Sequence, residues 1–147
     1  MHKRVIFQDI DGVLNTREYM HKVDDYEVMD PVNVARMRAV VEKTGAQLVI
    51  SSAWRISNDW EERIRRVMAE SGWVNPPIIG RTPGDHSRGA EINTWLRENP
   101  TEDFVIVDDD VWDMLPEQAS HIVECDEKIG FSEVNQKQIE DRWMPLP

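Results

Sequence analysis

Three largely apolar runs punctuate the chain, and each stops on polar or acidic residues. Val5-Ile6-Phe7 passes through Gln8 to Asp9-Ile10-Asp11-Gly12, the run 46–50 stops in Ser51-Ser52, and Phe104-Val105-Ile106-Val107 stops in Asp108-Asp109-Asp110. Continuous rather than alternating hydrophobicity predicts strands buried on both faces, as parallel strands between helical layers are. Helical spacing fills the intervals. Asp30-Pro31 opens a helix with the acid as N-cap, Val34, Met37, Val40 and Val41 form its stripe, and Gly45 ends it. Ser57 or Asn58 caps a second helix through Trp60, Ile64, Val67 and Met68. A third opens at Arg88, turns Ile92, Trp95 and Leu96 inward and stops at Asn99-Pro100. Ser132 starts a last helix with Ile139 and Trp143 inward, and residues 144–147 form a tail. Short strands are expected over 76–80 and 121–124, the latter near an edge. Residues 16–29 are polar with no sustained period and read as a loop or small flap. Strand and helix in alternation predict crossovers and a parallel sheet, hence an α/β fold.

Length and charge narrow the picture. With 147 residues the chain suits a single domain, 1–147, able to bury a proper core. Its 17 basic and 28 acidic residues give a formal charge of -11, which argues against a broad cationic surface for grasping nucleic acid. Cys125 is the sole cysteine, which rules out an intrachain disulfide framework or a zinc ribbon. No signal-like or long apolar span is present, so a soluble, cytoplasmic protein with no membrane role is expected.

The chemistry concentrates where the apolar runs end. Asp9 and Asp11 alternate onto one side if the extended geometry persists, and two close carboxylates require a cation, a proton or hydrogen-bond donors. Serine hydroxyls after the second run can donate to a phosphoryl oxygen. Arg88, in a first helical turn, can add its donors to an anion-attracting helix end. Asp108, Asp109, Asp110 and, a turn later, Asp113 are hard oxygen ligands of the kind that magnesium takes.

Asp9-Ile10-Asp11-Gly12-Val13-Leu14 resembles the first motif of haloacid dehalogenase-like (HAD) phosphohydrolases, and the remaining motifs follow in order. The resemblance covers nearly the whole chain and implies a three-layer Rossmann-like core, a central mostly parallel sheet and no large cap. It implies that Asp9 is the nucleophile and Asp11 the general acid and base. The second motif falls on Ser52 by spacing, with Ser51 adjacent, and the third on Arg88. Mg2+ would be held by Asp9, Asp11 through its backbone carbonyl, and Asp109, with Asp108 next in line. Gly12, Ser51, Arg55 and Arg81 are expected to be further phosphate- or substrate-binding positions.

Ser52-Ala53-Trp54-Arg55, Gly80-Arg81-Thr82-Pro83, Arg88-Gly89-Ala90-Glu91-Ile92 and Ile129-Gly130-Phe131-Ser132 are similar to a capless HAD group that includes domains of RNA-repair proteins. The layout also resembles the phosphatase half of polynucleotide kinase-phosphatase. That similarity implies hydrolysis of a phosphomonoester through an aspartyl-phosphate, on a nucleotide or a nucleic-acid end. The alternatives are a phosphatase of small metabolites or phosphoprotein, and a non-catalytic HAD-fold domain that binds metal or a partner. Oligomeric state is left open.

Overall fold

A computed structural model describes residues 1–84 and 86–144, so Asp85 and the tail at 145–147 lie outside the described residues. Five strands, β1 (His2–Gln8), β2 (Gln47–Ile50), β3 (Ile78–Arg81), β4 (Thr101–Asp108) and β5 (Ile122–Glu124), form one sheet in the order β3-β2-β1-β4-β5. Every pairing is parallel. Among the described residues the sheet is joined by helices α1 (Arg17–Val23), α2 (Pro31–Thr44), α3 (Trp60–Glu70), α4 (Arg88–Glu98) and α5 (Glu133–Trp143), with 3-10 turns at Ala53–Ile56 and Pro116–His121.

The apolar runs form a sheet buried on both sides because alternate residues feed two separate cores. Ile6, Leu48, Ile50, Val105 and Val107 pack with the buried stripes of α2, α3 and α5. Val5, Phe7, Val49 and Ile106 pack instead with Ile92 and Trp95 of α4. The result is three layers, with no large cap among the described residues.

Caps fix the helix starts much as the spacing predicts. The Asp30 carboxylate accepts from Val32 N, Ser87 Oγ from Ala90 N and Ser132 Oγ from Asn135 N. α2 ends on Gly45 at φ +71°, the left-handed conformation open to glycine.

Beyond shifts of a few residues at the ends of β1 and β3, the structure differs from the sequence reading in three places. Residues 17–23 of the expected flap form α1, which buries none of its residues and is held by its ends. Thr16 accepts from Tyr19 N, and Asp24 closes the helix in the left-handed region. α3 is preceded by a 3-10 turn at Ala53–Ile56, and its N-cap is Asp59, not Ser57 or Asn58. β4 begins at Thr101 because pairing with the polar start of β1, His2 with Thr101 and Arg4 with Asp103, extends it beyond its apolar run. Among the described residues, no helix is long and apolar enough to cross a membrane.

Strand order makes the C-terminal edge of the sheet the place to look for chemistry. From β1 the chain crosses to β2 and β3 on one side, then returns past β1 to β4 and β5 on the other. The crossovers therefore diverge between β1 and β4 and leave a crevice beyond their carboxyl ends.

Candidate active site

The register between the two central strands brings the acidic segments together. Gln8 lies opposite Val107, and Asp9 N donates to Val107 O at 3.2 Å, so Asp9 and Asp108 leave the sheet side by side. Asp9 and Asp108 are buried and Asp109 is half-buried; one carboxylate oxygen from each lies within 4.8 Å of the others. Gly12 permits this convergence. It sits at φ +79°, and a Cβ there would overlap the Asp109 carboxylate.

The cluster is short of positive charge. Arg88 Nη1 contacts Asp108 Oδ2 at 2.6 Å and Asp9 Oδ1 at 3.4 Å, one guanidinium against three carboxylates. Burial, and then the charge of Asp108, push the Asp9 carboxyl well above the usual carboxylate range despite Arg88. Burial likewise raises Asp109. Burial alone would lower the Arg88 guanidinium, but Asp108 and Asp9 outweigh it and hold its pKa above the ordinary value.

The acids in 108–113 have separate partners. Asp108 accepts from Arg88 and, through Oδ1, from Asp110 N at 3.0 Å. Asp113 accepts from the backbone N of Arg88 at 3.0 Å and so fixes the start of α4. Gly89 lets that start approach closely, since a Cβ would lie 2.8 Å from Leu115 N and Gln118 Oε1. Asp109, with neither tie, lies beside Asp9 in the lining of a cleft of about 250 Å³ that Asp11, Ser52 and Arg88 also line.

Asp11 is held at the mouth of this cleft. Trp54 Nε1 donates to both carboxylate oxygens, at 3.2 and 3.3 Å, and Asn15 Nδ2 donates to Oδ1 at 3.0 Å. Asn15 is itself fixed, accepting from Gly12 N at 3.1 Å and donating to Val28 O at 3.3 Å. The Arg63 guanidinium covers the Trp54 ring 4.4 Å from its centroid. Of the two serines, Ser52 lines the cleft and caps the 3-10 turn by accepting from Trp54 N. Ser51 lies fully buried behind it, its Oγ without a hydrogen-bond partner among the described residues.

Arg55 and Arg81, expected at the phosphate or substrate, do not line this cleft. Arg55 is buried and commits its donors to the carbonyls of Thr82, Ser51, Ser52 and Pro83 and to the Glu91 carboxylate at 3.0 Å. It fastens the ends of β2 and β3 to α4. Arg81 donates to Arg55 O and stacks over Trp60, 5.2 Å from the ring centroid. Both line a separate recess with Ile56 and Gly84. Sequence reasoning gave no role to Trp54 or Asn15; Asn15 follows the first motif and lies four positions from the Asp11 it holds, whereas Trp54 lies 43 positions away.

The donor set fits a hard divalent cation. It is all oxygen, it converges, and the raised carboxyl of Asp9 marks a pocket where a further positive charge would relieve repulsion. A family model described as the HAD domain in Swiss Army Knife RNA repair proteins matches residues 5–135. No curated protein and no solved structure gives a significant match.

Proposed function

Because the chain belongs to the HAD domain family of Swiss Army Knife RNA repair proteins, we propose that it is a magnesium-dependent phosphomonoester hydrolase acting on a nucleotide or a nucleic-acid end. The observation that carries this reading is the convergence of Asp9, Asp108 and Asp109 beside Asp11, Ser52 and Arg88 at the end of β1 and β4.

Asp9, Asp109 and Asp108, with the backbone carbonyl of Asp11, would hold Mg2+. The ion would supply charge that offsets repulsion between an anionic phosphate and an anionic nucleophile. A carboxylate oxygen of Asp9 attacks phosphorus, and the bond from phosphorus to the leaving oxygen breaks. Asp11, held in place by Trp54 and Asn15, gives its proton to that leaving oxygen. The Ser52 hydroxyl and the Arg88 guanidinium bind the phosphoryl oxygens as charge spreads over them. In the second half, Asp11 takes a proton from water, and the water oxygen attacks the aspartyl-phosphate. The bond to Asp9 breaks, inorganic phosphate leaves, and both carboxyls return to their starting states.

The test is phosphate release from a panel of mononucleotides, 3'- and 5'-phosphorylated oligonucleotides, sugar phosphates and phosphopeptides, with and without Mg2+. Wild type should release phosphate only with the metal, and Asp9→Asn should be slower by about a thousandfold or more, as expected for loss of a nucleophile. Equal rates for wild type and Asp9→Asn across the panel would refute the reading.

A further inference from the structure

The 250 Å³ cleft has room for a phosphoryl group but adjoins a larger cavity of about 670 Å³. The two share Asp11 and Asp109, and the larger one extends away between α1 and the turn at residues 126–130. If Asp11 protonates the leaving oxygen, the group attached to that oxygen lies on the side of the cleft that Asp11 borders. That side is this cavity, which falls in the size range of small-molecule sites.

Its walls have a particular chemistry. Tyr26, 66% exposed, and Met20 offer an aromatic and a thioether surface. Arg17 and Lys128 face the same space, and neither has an ion-pair partner among the described residues. The contrast with the other arginines is sharp: all of them place the guanidinium on a hydrogen-bond acceptor, and among the described residues Arg17 alone does not. Glu18 and Glu127 also line the cavity, so it is no groove for a long polyanion.

The walls are fixed in advance. Asn33 Nδ2 donates to Val13 O at 3.2 Å and to Ile129 O at 3.3 Å, which clamps the loop after Asp11 to the turn that carries Lys128. Phe131 N adds a bond to Val13 O at 2.8 Å, and Gly130 lets the two backbones meet, since a Cβ there would lie 2.6 Å from that carbonyl. On the other wall, Glu27 beside Tyr26 pairs with Arg63 at 2.6 Å and with Arg66 at 3.2 Å, tying the segment to α3. A preformed site loses less conformational entropy when a ligand binds.

We propose that this cavity is the leaving-group subsite, in which the terminal base packs on Tyr26 and Met20 and the next phosphodiester meets Arg17, with Lys128 opposite. The inference rests on the hydrolase reading above and narrows it. The preferred substrate is the terminal phosphate of a chain of at least two nucleotides, of which the subsite grips only the last units.

Three substrates separate the contributions: ribose 5-phosphate has neither base nor second phosphate, a nucleoside monophosphate adds the base, and a dinucleotide with a terminal monophosphate adds the phosphodiester. Wild type should show kcat/KM rising at both steps. Tyr26→Ala should lower the mononucleotide-to-ribose-phosphate ratio by about tenfold, the scale of a lost base stack. Arg17→Ala should lower the dinucleotide-to-mononucleotide ratio by a similar factor, and that ratio should fall with added salt. Trp112, 82% exposed on the 109–113 loop and outside the cavity, is the control, and Trp112→Ala should leave both ratios as in wild type. Melting curves confirm that each variant is folded. Flat ratios in wild type, ratios unaltered by Tyr26→Ala and Arg17→Ala, or a loss confined to Trp112→Ala would overturn the subsite while leaving an Asp9-dependent hydrolase intact. Absence of Asp9-dependent turnover on every substrate would instead overturn the hydrolase reading, and the subsite with it.

Discussion

Asp11 has its geometry imposed by two neighbours that do no chemistry themselves. The Trp54 indole spans both of its oxygens and Asn15 reaches one, so the carboxylate cannot rotate without losing a donor. Hydrogen bonds to a charged group contribute about 1.5–3 kcal/mol, which converts to roughly a tenfold to hundredfold rate effect if the bond is needed at the transition state. Trp54→Phe keeps most of the ring packing and removes the N–H. Steady-state kinetics should show kcat lower by about tenfold or more with KM within about twofold, the pattern of a lost transition-state interaction. An unchanged kcat would mean that Asp11 is positioned without the indole. Tryptophan after a strand reads as core, and nothing in its spacing reveals that the indole edge turns toward a carboxylate 43 positions earlier. Arg55 shows the converse: a guanidinium near a phosphate motif suggests an anion site, yet its donors go to carbonyls that only the folded loops bring around it.

At the scale of elements, the cleft depends on how closely α4 meets the 113–118 segment. Gln118 Nε2 donates to Gly89 O at 2.9 Å and its Oε1 accepts from Leu115 N at 2.9 Å, so the first turn of α4 is seated directly on that loop. Gly89→Ala would place a Cβ against backbone atoms that cannot move aside as a flexible side chain would. We expect a loss of about 1–3 kcal/mol from overpacking, read by urea denaturation, and a larger fractional loss of phosphate release because Arg88 shifts with the helix. A variant as stable and active as wild type would show that the contact is slack. The elements that carry the motifs were legible because a buried strand announces itself by an apolar run and a helix by its caps. α1 was not, since it buries nothing and has no apolar stripe to give it a period. The first half of β4 was hidden for a related reason, as its polar residues are strand only because β1 pairs with them.

Across the whole molecule, the two ends of β4 do different work. Its C-terminal end leaves acids buried against one another. Its N-terminal end is latched to α5: Asp103 accepts from Arg142 at 2.8 and 2.9 Å and from Trp143 Nε1 at 2.7 Å. Burial would raise the Asp103 carboxyl, but these bonds outweigh it and hold its pKa at about 2. A carboxyl depressed on folding stabilises fully above its unfolded value of ~3.9, and that stabilisation is lost as pH falls toward the folded value. Because Asp103 is a third exposed, the contribution is discounted to about 1 kcal/mol, or a few degrees of melting temperature. Asp103→Asn should therefore melt a few degrees lower at pH 7, and the gap to wild type should close between pH 4 and pH 2. A gap that stays constant over that range would remove the carboxylate from the account.

The acids at the other end define the central claim, which is that Asp9 forms a bond to phosphorus. It is tested most directly by rapid acid quench of wild-type protein during turnover with Mg2+ and saturating substrate, followed by mass spectrometry of the peptide that contains residue 9. The account predicts one added phosphoryl group on Asp9, appearing before free phosphate and absent when the metal is chelated. Phosphate released with no adduct on Asp9, or an adduct on another residue, would contradict it.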